Sequence, residues 1–509
     1  MPSVLLPSAA PARTLAERAL SRAAGAPLLG DNAVELLIDG EAHYTAWLEA
    51  IRGARHRVLL ENYIVRNDAV GHAFLDALSE RARAGVFVAV LVDWMGCLGQ
   101  SRGSFWAPLR AAGGHFRVFN PPRLGQSLGW VSRDHRKVLV VDGMHGFLSG
   151  VCISEKWLGD PSRRVPPWRD TGVAVQGPAV AEIEAAFADS WRTTGDRLPD
   201  FPRLLSAAEP AGSVALRVIA TQPSTAGMYR LDQLIAAMAR KTLWLTDAYF
   251  VGLAPYVQAL LAAARDGVDV RLLVPGNSDL AVVAGMSRAG YRPLLQAGIR
   301  VFEWNGSMLH AKTAVADGQW ARVGSSNLNI ASWLGNFEID VAVEDAGFAG
   351  QLAEQYERDL ENATEIVLAP HRHRALHTTD TAVRSSQRRP GRVRRAGGSS
   401  SRAAVGALRV ANRMGSVLSN QRVLDSVSGG PMLATAAVLA VFAATAILWP
   451  AWIGWPLGAI AAWFALNLAI ASGRKYRRHQ QHRDPPPAPS DNQPPSDRRD
   501  NGPRAGHNG

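Results

Sequence analysis

Two cysteines in 509 residues leave no disulfide framework and no Cys-x-x-Cys metal site. Cys97 and Cys152 alone fit a reducing compartment. The N-terminus lacks a basic segment ahead of an apolar run, so it does not read as a signal peptide, and the Ala/Arg/Glu pattern of residues 1–30 predicts a surface helix. The first 370 residues also lack a basic excess. The chain carries +11 overall, but residues 371–430 hold twelve Arg against two Asp, and residues 474–509 hold seven Arg and one Lys against four Asp. That leaves residues 1–370 at −3 and places the basicity beside an apolar block. Such a distribution suits a membrane surface better than a nucleic acid, and no nucleic-acid partner is expected.

The apolar block, residues 431–473, has no charged side chain. It is long enough for two short spans of about 20 residues each, and the WPAWIGWP segment at 449–456 breaks it in the middle. We expect a transmembrane hairpin with helices over 432–448 and 457–472, both ends in the cytoplasm because Arg and Lys flank it on either side. Residues 371–430 read as a basic linker that ends in a candidate amphipathic helix over 403–424. Residues 474–509, with DPPPAP and QPPSD, read as a disordered tail.

What is abundant in residues 31–370 is apolar strand alternating with helix. The first half predicts strands over 33–38, 58–65 and 86–93 with helices over 43–54 and 71–84. The second half repeats the order, with helices over 231–240 and 255–265 and strands over 242–250 and 268–274. Continuous apolar strands between helices predict an α/β fold with parallel, doubly covered sheets. The two halves, 31–200 and 201–370, look like copies of one unit joined by a linker near 193–213.

Each half closes on the same pattern, His-x-Lys-x4-Asp: His135, Lys137 and Asp142, then His310, Lys312 and Asp317. A lone His-x-Lys on a strand is usually an exposed polar pair; two copies in register point to one site built from two halves. Alternation along a strand turns each His and Lys to the same face. Asp142 and Asp317 complete the motif but fall at opposite parity before a glycine, where they pin a turn. A phosphodiester needs a nucleophile, cations for its equatorial oxygens and an acid for the leaving alkoxide, and two imidazoles with two lysines supply all three. No cofactor and no metal is called for. Glu61, Asn62 and Asp247 are candidates to line the cleft, whereas Tyr249, Phe250 and the tryptophans read as core, and His72, His115 and His145 as surface or packing residues.

With its two motifs and the GSSNLN segment at 324–329, the chain resembles the phospholipase D superfamily. Within it, the likeness is to bacterial cardiolipin synthases of the short type, carried by stretches such as PPWRDTGVAVQGPAV (166–180) and NLNIASWLGNFEID (327–340). The resemblance implies two α/β sandwich halves around a central cleft. It also implies a phosphatidyl-histidine intermediate on His135 or His310, with His135 the favoured nucleophile. Asp170 would orient His310 and Glu338 would orient His135, each acid acting on the histidine of the other half. Ser325 and Asn327 would contact the phosphate. The first half departs from the family at Cys152, which stands where an asparagine is usual; either phosphate binding leans on the second half, or activity is altered. The implied reaction joins two phosphatidylglycerol molecules into cardiolipin with release of glycerol, phosphatidylethanolamine being a further candidate donor. A hydrolytic or head-group-exchanging phospholipase D would use the same residues, and a nuclease of the superfamily is disfavoured by charge.

Overall fold

The computed structural model describes residues 9–101, 103–122, 132–195, 198, 209–368, 421–424 and 462–463. Described residues up to Leu424 belong to one compact unit, while Ala462 and Trp463 fall in another. After a helix α1 (Ala9–Ala24), the first half runs β1 (Leu29–Ile38), α2 (Asp39–Gly53), β2 (Arg57–Asn62), α3 (Ala69–Arg83), β3 (Phe87–Asp93), α4 (Ala107–Ala111), β4 (His115–Phe119), β5 (Lys137–Val141), β6 (His145–Ser149), β7 (Thr171–Gln176) and α5 (Ala179–Thr193). The second half runs β8 (Val214–Thr221), α6 (Gly227–Met238), β9 (Thr242–Thr246), α7 (Ala254–Arg265), β10 (Asp269–Pro275), α8 (Ala281–Ala289), α9 (Tyr291–Gln296), β11 (Arg300–Trp304), β12 (Thr313–Ala316), β13 (Trp320–Gly324), β14 (Glu338–Val343), α10 (Ala346–Glu361) and β15 (Ala363–Leu368).

Local rules account for these elements. Helix α3 starts where the Asp68 carboxylate accepts the Gly71 amide at 2.9 Å, and it buries one stripe that includes Val70, Phe74, Leu78 and Ala82. Gly85, at φ 84°, takes the left-handed position that ends it. The strands that follow the helices, β3 and β10, are buried along most of their length, which explains their unbroken apolar runs.

The expectation of parallel sheets holds only for the trio of strands towards the outer edge of each half, β2–β3–β4 and β9–β10–β11. The remaining ladders within the halves are antiparallel. The reason lies in the motif: Asp142-Gly143 and Asp317-Gly318 all have positive φ, from 53° to 67°. Amide-to-carbonyl bonds close both turns, from Met144 to Val141 and from Gln319 to Ala316, each at 3.0 Å. Positive φ at both central residues is the tight hairpin turn that Asp-Gly favours, and it returns the chain antiparallel.

The two expected sheets also prove to be one. Strand β1 bonds to β7 on one side and β8 on the other, making a single mixed run of sixteen strands. Helices α2 and α3 cover the first half's sheet, and α1, α6 and α7 cover the second's. Between them lies a core common to both halves, in which Phe187 and Ile183 of α5 and Phe348 and Leu352 of α10 join strand residues such as Val138, Val175, Val323 and Ile339. The result is a mixed α/β fold whose halves share one interior.

A sixteenth strand, β16 (Gln421–Leu424), runs parallel to β15. The helix expected over 403–424 therefore does not reach Leu424: the open edge of β15 offers ladder partners that a helix would leave unpaired. Residues 403–420 and nearly all of the hairpin segment 431–473 lie outside the described residues. Among those described, no helix is long and apolar enough to cross a membrane.

Candidate active site

Each motif histidine sits ahead of its strand, His135 by two residues and His310 by three, not on it as the alternation predicts. Strand β5 begins at Lys137, and β12 begins after Lys312. The segments before them are instead tied across the two halves. The His135 amide donates to Phe337 O (2.9 Å), and the Phe337 amide to Arg133 O (2.8 Å). The mirror pair is the His310 amide to Arg169 O (2.7 Å) and the Arg169 amide to Met308 O (3.0 Å). Each histidine is thus stapled to the segment that delivers the other half's acid.

The side chains complete the exchange. His135 Nδ1 lies 2.9 Å from Glu338 Oε2, and His310 Nδ1 lies 2.8 Å from Asp170 Oδ2. Burial would raise the Glu338 carboxyl, but the charge and hydrogen bond of His135, with Lys137 and Ser325, hold it below its ordinary value. Asp170 behaves alike: His310, Lys312 and the Trp157 indole overcome burial and depress it. Ionised carboxylates only accept, so both imidazoles carry the proton on Nδ1 and keep Nε2 for substrate. Burial drives both histidines below the usual imidazole value, His310 to about 4 with Lys312 adding to the fall. At neutral pH both rings are uncharged.

The lysines are fully buried, and each Nζ donates to the carbonyl of its own histidine, Lys137 at 2.6 Å. Burial brings Lys312 down to about 8 against the pull of Asp170. Lys137 also acts on His310 and Lys312 on His135, so the four groups share one field. Two arginines fix the acids. Arg136 donates to Glu338 O at 3.0 Å, and to Ala186 O, Ser190 Oγ and Thr221 O. Arg169 donates to Asp170 O and grips Asp359 through two bonds of 2.8 Å. Neither arginine stands out in the sequence, because a buried cation is recognised only by the carbonyls around it.

His135, His310, Asn327 and Cys152 open into one cavity of about 520 Å3. Cys152 and Asn327 stand seventeen residues after their histidines, so they occupy matching places in the two halves. Asn327 Oδ1 is buried without a partner among the described residues, so any contact of this amide with an anion would come from its Nδ2 donor. Cys152 is buried, with its thiol pushed up by burial, and its carbonyl accepts the Tyr44 hydroxyl. Ser325 does not open into the cavity; its hydroxyl donates to Glu338 at 2.6 Å and so steadies the acid.

Several aromatics expected in the core line this cavity. Tyr249, Trp157 and Trp168 surround the His310 ring with centroids 5.4 to 5.8 Å away, and Tyr63 packs on His135 at 5.0 Å. Phe250 is core. Their signal was present in the matched strand ends ENYIV and TDAYF, which place a tyrosine just past β2 and β9. Glu61 and Asn62 are fully buried and do not reach the cavity, and Asp247 accepts the Leu328 amide at 2.7 Å beneath Asn327.

Asp142 and Asp317 lie at the far ends of β5 and β12, about 15 Å of strand from the histidines. The Asp142 carboxylate accepts the amides of Arg55, His56 and Arg57 at 2.8 to 2.9 Å. Asp317 accepts those of Arg240, Lys241 and Thr242. They fasten the hairpin turn to the entry of the neighbouring strand and do not join the catalytic set with which the motif groups them. Asp142→Ala orphans three amides and should cost about 2–4 kcal/mol of stability. Thermal unfolding checks this; an unchanged Tm with lost activity would return Asp142 to the chemistry.

Residues 232–361 match the family model described as cardiolipin synthase, PLD-like domain. Cardiolipin synthase A of Pseudomonas entomophila is 34% identical over 359 residues, covering 69% of this chain and 73% of that relative. Cardiolipin synthase of Alkalihalophilus pseudofirmus is 32% identical over 365 residues, covering 69% and 72%. The fold is similar to that of phosphatidylserine synthase from Haemophilus influenzae, with a TM-score of 0.51, 14% identity, and 69% of this chain and 91% of that one covered. With paired histidines in one cavity and relatives of this closeness over most of their length, the chain belongs to the cardiolipin synthase family of phospholipase D superfamily enzymes.

Proposed function

We propose that this enzyme transfers a phosphatidyl group from one phosphatidylglycerol to another, giving cardiolipin and glycerol. His135 Nε2 attacks phosphorus while His310, which takes up a proton on Nε2 as the anionic phosphodiester binds, gives it to the departing glycerol oxygen, leaving phosphatidyl-His135. The hydroxyl of a second phosphatidylglycerol then gives its proton to His310 and attacks, and His135 leaves. Lys137 and Lys312 balance the phosphate charge, and Asn327 holds one of its oxygens. The observation that carries this is the crossed pairing: each imidazole is oriented by an acid from the other half, and both face one cavity. In this reading residues 31–200 and 201–370 are the halves of one catalytic unit. Residues 371–430 are a basic linker, 431–473 a membrane hairpin and 474–509 a polar tail.

Product analysis tests the reading. Purified full-length protein in mixed micelles of phosphatidylglycerol, phosphatidylethanolamine and glycerol should form cardiolipin. Phosphatidic acid as the dominant product would instead assign hydrolysis, with water as acceptor.

The protonation states predict a bell-shaped profile. On the acid side kcat/KM should fall below the ordinary imidazole range, where His135, lowered by burial, takes up a proton and loses its lone pair. On the basic side it should fall as the pH rises through about 8, where Lys312 loses its charge. Lys312→Arg, which stays charged, should remove the basic limb from whatever activity remains. A basic limb unchanged in that variant would contradict the assignment.

A further inference from the structure

The mouth of the catalytic cavity is bounded by two second-half segments without a single charge, residues 280–287 (LAVVAGMS) and 330–336 (IASWLGN). Helix α8, which begins in the first of them, buries only Ser287, while Val283 and Ala284 are half-buried and Val282 and Met286 exposed. Val282 is 78% exposed, and Leu280, Met286 and Ile330 are 50 to 56% exposed, with Leu334 beside them. Leu280, Met286 and Ile330 line the cavity itself, which makes the apolar face continuous with the site. A soluble domain rarely gathers so many large apolar groups at one opening unless something covers them.

Charge indicates what covers the face. Arg66 and Lys156 line the same cavity, with Arg133, which pairs with Asp93 at 3.3 Å, and one lining acid, Asp279, which accepts the Tyr249 hydroxyl at 2.8 Å. An apolar patch beside a cationic opening matches the interface of an anionic bilayer, where acyl chains and headgroup phosphates lie side by side.

We propose that residues 280–287 and 330–336 form a membrane-docking face that seats the mouth of the cavity on an anionic lipid bilayer. The proposal rests on the phospholipid reading above and adds to it. Whatever anchors the chain, this face sets the attitude of the catalytic unit, so that a lipid headgroup rises into the cavity while its acyl chains stay in the bilayer.

Both native cysteines are buried, which allows a single environment-sensitive label at V282C, with E354C on the exposed surface of α10 as control. In full-length protein reconstituted in vesicles of phosphatidylcholine and phosphatidylglycerol, bilayer-restricted nitroxide lipids should quench the label at V282C but not at E354C. A label at V282C that is not quenched, whether it reports water or a covering segment of the chain itself, overturns the proposal. Separately, V282D should lower kcat/KM on phosphatidylglycerol in vesicles by about tenfold or more, while activity on water-soluble short-chain phosphatidylglycerol stays within about twofold. Equal losses on both substrates would make the patch structural and also overturn it. Absence of phosphatidyl transfer by the unaltered protein on either substrate sinks the reaction reading alone, and the quenching result then decides the docking face by itself.

Discussion

His135→Ala and His310→Ala should each reduce phosphatidyl transfer by about ten-thousand-fold or more, since one removes the group that carries the intermediate and the other the proton relay. The two losses should differ in kind. A donor with a p-nitrophenoxide leaving group needs no protonation as the bond breaks. His310→Ala should therefore recover the first half-reaction with that donor and release nitrophenol in a burst, whereas His135→Ala should remain inactive. Recovery in His135→Ala instead would exchange the two roles. Because both rings are buried, thermal unfolding should accompany the kinetics, and the burst itself proves that the His310→Ala cavity is intact.

Glu338→Gln and Asp170→Asn should each lower kcat by about a hundred- to a thousand-fold with little change of shape. The carboxylates do not touch phosphorus; they keep the Nδ1–H tautomer and point Nε2 at the substrate. An amide in their place can present an N–H to Nδ1, which would favour the tautomer with the proton on the wrong nitrogen. The positioning role has its own signature. Glu338 raises the His135 pKa, so its loss should let that ring keep its lone pair to lower pH, moving the acid limb of the profile downward. A kcat near that of the unaltered enzyme, or an acid limb moving upward, would contradict the crossed pairing.

The chemistry was legible in the sequence because it is written in a short repeat. His-x-Lys occurs twice at matching positions, and the same offset from each histidine leads to Cys152 and Asn327. The scaffold was less legible. Parallel and antiparallel strands buried on both faces carry the same apolar runs, so among the antiparallel inner ladders only β5–β6 and β12–β13 are marked, by their Asp-Gly turns. Nothing local marks β1 as the strand that joins two halves into one sheet, since its partners Val173 and Leu216 lie well over a hundred residues away. The cross-half staples, such as His135 to Phe337, are long-range contacts of ordinary backbone and leave no pattern. For Tyr249, Trp157 and Trp168 the sequence suggests core, because nothing local separates a ring that walls a cavity from one that fills an interior. Arg136 and Arg169 went unmarked for a related reason: their partners are carbonyls and a distant Asp359.

The first half's Cys152 leaves the two halves unequal just where they should hold one phosphate together. A thiol is a weak donor, so in the proposed reaction Asn327 would carry the amide contact alone. The most direct measurement of the central claim locates the intermediate. Full-length His310→Ala protein, incubated with the nitrophenyl donor, quenched and digested, should yield by peptide mass spectrometry a phosphatidyl adduct on His135 and on no other residue. An adduct on another residue, or none in either histidine variant together with inversion at phosphorus in the unaltered enzyme, would contradict the account.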